Sequence, residues 1–85
     1  MNRRFEIING KCVIPDGVTE IPEDEFWECK ELKEIVIPET VTIIPNAAFF
    51  YCKSLEKVCL PASMKEIQSQ AFEGCSKLKS IEIPD

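Results

Sequence analysis

Apolar positions along this chain recur at a fixed interval of 23 residues. Pro15, Pro38, Pro61 and Pro84 form one column, and Phe26, Phe49 and Phe72 another. Cys29, Cys52 and Cys75 make a third, Leu32, Leu55 and Leu78 a fourth, and Ile21, Ile44 and Ile67 a fifth. Val18, Val41 and Met64 keep the same register, as do Ile14, Ile37, Leu60 and Ile83. An uninterrupted period of this length is the signature of a solenoid, in which each repeat covers the apolar face of its neighbour.

The pattern predicts four moves per rung. A short strand comes first, with Ile35 and Ile37 inward and Glu34 and Val36 outward. Pro38, unable to donate to a ladder, ends it; Pro15-Asp16-Gly17 makes the same turn with Gly17 free to take positive φ. Val41-Thr42-Ile43-Ile44 alternates and is β-branched, which predicts a second extended piece. The segment from Asn46 to Cys52 then reads as a helical turn. Asn46 and Ser69 suit an N-cap, Ala47-Ala48 and Gln70-Ala71 favour helix, and Phe49, Cys52 and Leu55 fall on one side of a 3₁₀ or short α turn. Phe26, Phe49 and Phe72 are expected to stack as a spine, and Trp27 and Tyr51 either to pack between rungs or to anchor a partner.

At the start, Phe5 to Ile8 and Lys11 to Ile14 flank Asn9-Gly10, the strongest two-residue signal for a type I′ hairpin. The expected organisation is one domain over 1–85. It comprises a hairpin cap at 5–14, repeats at about 12–34, 35–57 and 58–80, and the start of a further rung at 81–85. Leu78, Ile81 and Ile83 then face an open end, with no cap expected beyond them. Exposed strand edges of this kind are normally covered.

Composition narrows the class. The net charge of −5 argues against a nucleic-acid backbone as partner, which demands clustered Lys and Arg. No apolar run approaches the roughly 20 residues that span a bilayer, so no membrane insertion is expected. Pattern begins at Phe5 and leaves no room for an apolar leader. The chain as written is expected to be cytoplasmic, and at the cell surface if it is a fragment of a longer protein. Of the 5 cysteines, three share one column, which predicts packed thiols rather than bridges and fits a reducing compartment. With no His and no CxxC pair, neither zinc nor any other cofactor is expected.

The unit Leu-x-x-Ile-x-Ile-Pro-x-x-Val-x-x-Ile-x-x-x-Ala-Phe-x-x-Cys, as residues 32–52 spell it, resembles the leucine-rich repeat of the BspA-like (Treponema-type) family. The resemblance covers about residues 12–85. Trp27 and Phe50 follow the column Phe where that family varies, Glu25 stands for its Ala, and Met64 for its Val. The resemblance implies an α/β, right-handed leucine-rich repeat solenoid. Short parallel strands would line its concave face, with short helical or 3₁₀ turns on the convex side and an N-terminal β-hairpin cap. It also implies a binding function, members often being bacterial surface proteins that attach to host or matrix proteins.

Candidate chemistry lies on the outward strand positions, which form two rows. Lys11, Glu34, Lys57 and Ser80 make a ladder of alternating charge across strands about 4.8 Å apart. Val13, Val36, Cys59 and Glu82 make the other, with an apolar stripe in its first three members. Cys59 is the one cysteine expected to face outward. A nucleophilic role would require an activating base, and Lys57 is the only group of that kind nearby. No enzymatic activity is therefore expected. Two readings follow. In the first, the chain is a protein-interaction module that uses these two rows. In the second, it is a structural or self-assembling unit, a homodimer formed through Leu78, Ile81 and Ile83.

Overall fold

The computed structural model describes residues 5–82; Ile83, assigned to the open end by the sequence, lies outside them, as does the side chain of Glu82. Three-residue strands β1 (Lys11–Val13), β2 (Glu34–Val36), β4 (Lys57–Cys59) and β6 (Ser80–Glu82) form one sheet in the order β1-β2-β4-β6. Every neighbouring pair is parallel. The two-residue strands β3 (Ile43–Ile44) and β5 (Glu66–Ile67) pair in parallel as a second sheet. A chain that returns to the same place once per rung can only pair its strands in parallel.

The first two rungs turn their column residues inward. Cys12, Phe26, Leu32, Ile35, Val41, Ile44, Phe49, Cys52, Leu55 and Val58 are fully buried, and no polar or charged residue among the described ones joins them in the core. The phenylalanine column forms the expected spine. Phe26 and Phe49 stack with ring centroids 5.3 Å apart, and Phe49 and Phe72 at 5.2 Å with an interplanar angle of 1°. Phe5 continues it at 6.3 Å from Phe26, so this ring covers the near end of the stack.

The outer turns differ from the helical or 3₁₀ reading: no helix is present among the described residues. Residues 46–51 are successive turns, closed by Ala48 N to Pro45 O, Phe50 N to Ala47 O and Cys52 N to Phe49 O, each at 3.2 Å. Ala47 and Tyr51 have φ of 60° and 56°, and Glu28, Gln70 and Gly74 are also positive. A left-handed residue at the third position of a turn breaks any helix. The backbone donors freed in this way reach the next rung instead. Phe26 N donates to Ala48 O, Glu28 N to Phe50 O (2.7 Å), Phe49 N to Ala71 O (2.8 Å) and Tyr51 N to Glu73 O (2.7 Å). A helix would have used these donors internally. Asn46 is accordingly no N-cap: its N–H donates to Gln68 Oε1, and its Oδ1 accepts from Ser69 Oγ.

The N-terminal hairpin is also smaller than expected. Asn9 and Gly10 both have positive φ, 51° and 83°, as a type I′ turn requires. Only the single antiparallel bridge Ile8–Lys11 forms around it, and residues 5–7 are not a strand. The Gly10 carbonyl accepts both Lys33 N (2.7 Å) and Glu34 N (3.0 Å), which ties the turn to the next rung.

The cysteine column packs as thiols, and none of the five cysteines forms a disulfide. Cys52 Sγ donates to Phe26 O at 2.8 Å and Cys75 Sγ to Phe49 O at 3.1 Å. Each thiol thus gives a second donor to a carbonyl of the rung before it, which already accepts the N–H that closes its own turn.

Candidate functional site

Strand register decides what shares the outward face of the larger sheet. Lys11, Glu34, Lys57 and Ser80 are successive Cα partners, and so are Val13, Val36, Cys59 and Glu82. Between them run Cys12, Ile35 and Val58, fully buried, which sets the two rows on the opposite face from the core. Both rows assemble as the residue alternation predicts.

In the charged row, Lys11 Nζ lies 3.9 Å from Glu34 Oε2, with both side chains partly solvated. A pair this exposed contributes well under about 1 kcal/mol; its value is orientation, holding alternating charge at fixed spacing. In the other row Val13 is 57% exposed, while Val36 and Cys59 are half-buried. Ile8, 60% exposed, stands beside this face through its bridge to Lys11. Sequence reading did not include Ile8. The available signal was its place across the Asn9-Gly10 turn from Lys11. A hollow of about 520 Å³ lined by Phe5, Glu6, Ile8, Lys11, Val13 and Pro15 occupies this end.

Cys59 is the last residue of β4, with Val36 and Glu82 as its register partners and Lys57 two residues away on the same face. At the far end of the stack, Ile81 is 41% and Ile67 44% exposed, whereas their column mates Val58 and Ile44 are fully buried. Leu78 is half-buried against the core. Leu78 and Ile81 therefore share one apolar end.

The outer turns hold a second group of exposed apolar residues. Trp27 (48% exposed) stacks on Phe50 at 4.5 Å, and Phe50 on Tyr51 (38% exposed) at 4.5 Å. Lys53 Nζ lies 5.8 Å from the Tyr51 ring centroid. Trp27 and Phe50 are one period apart, so their stacking was legible; the turn that brings Tyr51 alongside was not.

Among the described residues, no three His, Cys, Asp or Glu side chains gather as a metal site would need. No helix among them is long and apolar enough to cross a membrane.

Comparison with known proteins gives one family and one solved structure. Residues 7–85 match the family model described as the BspA type leucine rich repeat region, in six copies. The chain is similar to the crystal structure of a leucine rich cell surface protein from Faecalibacterium prausnitzii A2-165, with a TM-score of 0.75 and 42% identity. That likeness covers 79% of this chain and 18% of the other. No match was found among curated proteins.

Proposed function

Because the chain belongs to the BspA-type leucine-rich repeat family, we propose that it is a non-catalytic protein-interaction module, part of a bacterial cell-surface protein, that binds through the outward face of its four-stranded sheet. The observation that carries this reading is the register. It sets an apolar row, Val13, Val36 and Cys59, beside a row of alternating charge, Lys11, Glu34 and Lys57, that ends on the neutral Ser80. An apolar strip gives contact area that can be desolvated. The adjacent charges fix register with a partner and reject surfaces of the wrong pattern. Glu82 continues the apolar row by register alone. The solved relative is a cell-surface protein and far longer than this chain, which supports a surface location for the protein this module serves. Catalysis through Cys59 has no support beyond the nearness of Lys57, since the chain contains no His to act as base.

The test compares the parent with Val36→Glu in binding to immobilised extracellular-matrix proteins. Val36 is half-buried at the centre of the face, so the variant should keep its circular dichroism while losing retention by at least tenfold. Undiminished binding by a folded Val36→Glu protein would move the site off this face.

A second reading rests on the exposed apolar end formed by Leu78 and Ile81 with Ile67. Here a second copy of the chain covers that end. Light scattering at two well-separated concentrations should then show a mass that rises with concentration and falls back in Ile81→Lys. A constant monomer mass removes this reading.

A further inference from the structure

The outer turns carry an aromatic stack that neither the core nor the sheet face uses. Trp27, Phe50 and Tyr51 follow one another at centroid separations of 4.5 Å, with interplanar angles of 27° and 15°. The chain holds this stack in place at some cost. Tyr51 takes a φ of 56° in the column that the next rung gives to Gly74, and its ring lies over that glycine. A Cβ on Gly74 would come within 2.0 Å of Tyr51 Cδ1, so the third rung is cut back to make room for the ring. The positive φ belongs to the repeat turn, since Glu28 and Gly74 share it in the same column; what burial does not explain is that Trp27 and Tyr51, two of the three stacked rings, stay exposed.

The surroundings select the occupant. Trp27 N donates to Asp24 O, Glu28 N to Phe50 O and Tyr51 N to Glu73 O, so the main chain of an acidic residue is tied to the main chain of each aromatic one. Asp24, Glu28 and Glu73 are all exposed. Ring faces carry negative potential, and carboxylates around them add to it. The chain already sets its own Lys53 ammonium 5.8 Å from the Tyr51 centroid. We propose that this stack is a second docking surface, separate from the sheet face, for an arginine-rich peptide segment of a partner protein. A guanidinium stacks on Trp27 while Asp24 and Glu28 accept its N–H groups. Arginine is favoured over lysine because its planar group can stack and form paired hydrogen bonds together.

Trp27 is the sole tryptophan, so its emission reports on this surface alone. The probe is an acetylated hexaarginine peptide, titrated at physiological ionic strength with fluorescence and calorimetry in parallel. Saturable quenching of Trp27 is expected, with hexalysine binding about tenfold more weakly. By calorimetry, Trp27→Ala should weaken hexaarginine about tenfold with unchanged circular dichroism. The exposed pair Asp24→Asn/Glu28→Gln, which leaves the core untouched, should weaken it similarly and flatten its salt dependence. Val36→Ser should bind as the parent does, which separates this surface from the sheet face. The proposal is overturned by unsaturable quenching, by equal affinity for hexalysine, or by Asp24→Asn/Glu28→Gln binding within twofold of the parent. Quenching by hexaglutamate equal to that by hexaarginine would overturn it as well.

Discussion

Phe49→Ala tests the packing argument most directly. Phe49 is fully buried, and its ring lies between Phe26 at 5.3 Å and Phe72 at 5.2 Å, nearly parallel to both. Truncating a buried phenylalanine costs roughly 3–5 kcal/mol through lost transfer energy and the cavity left behind. Loss of two ring pairs puts the figure toward the upper part of that range, since each is worth about 0.5–1.5 kcal/mol beyond its area. A chain of 85 residues has a total stability on the order of 4–13 kcal/mol, so a loss of about 4–5 kcal/mol removes roughly a third of it or more. Urea denaturation followed by circular dichroism measures the loss as a fall in midpoint at constant slope. Phe72→Ala is the internal comparison. Phe72 is only half-buried, and among the described rings it stacks on Phe49 alone, so its loss should cost about half as much. A Phe49→Ala cost under about 1.5 kcal/mol, or equal costs at the two positions, would refute the idea that stability rests on a spine centred on Phe49.

Three further outcomes follow from the outer turns and the thiol column. Gly74→Ala should destabilise by about 1–3 kcal/mol, because φ is +80° and the new methyl meets the Tyr51 ring. Gly17→Ala, at φ +94° with nothing within 4 Å, should cost only the backbone share of about 1 kcal/mol, and urea midpoints will separate the two. Cys52→Ala should cost about 1 kcal/mol in the same assay by removing the thiol's hydrogen bond to Phe26 O, which keeps its backbone donor Cys29 N, whereas exposed Lys53→Ala should stay within about 0.5 kcal/mol. Burial pushes the Cys75 thiol above its ordinary 9.0, against a smaller downward pull from the Cys52 backbone hydrogen bond. Folding thus favours the protonated thiol. Its contribution is whole below pH 9.0 and fades as the pH rises through the raised value. The urea midpoint of the parent should therefore fall more steeply than that of Cys75→Ala above about pH 9, and a steeper fall in the variant would contradict the assignment.

The solved relative matches 79% of this chain, yet the match spans only 18% of its own length. Ile67 and Ile81 are exposed members of columns whose earlier residues, Ile44 and Val58, are fully buried. In an array, each rung's apolar side is finished by the rung after it, and stability accumulates from neighbour to neighbour.

By itself the sequence determined which residues face inward and which strands stand side by side. Side-chain direction follows from period: Ile35, Ile44, Phe49 and Leu55 recur in columns that must be buried, and alternation within three-residue strands sends Glu34 and Val36 outward. The two rows of the candidate site were legible for that reason. Only the tertiary structure decided where the backbone donors go. The segment 46–52 has the capping residues and alanines of a helical turn, but its N–H groups bond across to the neighbouring rung, and Ala47 and Tyr51 turn left-handed to allow it. A local pattern cannot choose between an internal bond and one to a neighbour of equal strength, because the choice depends on how closely the rungs stack. The same stacking places Tyr51 over Gly74 and gathers Trp27, Phe50 and Tyr51 into one exposed surface.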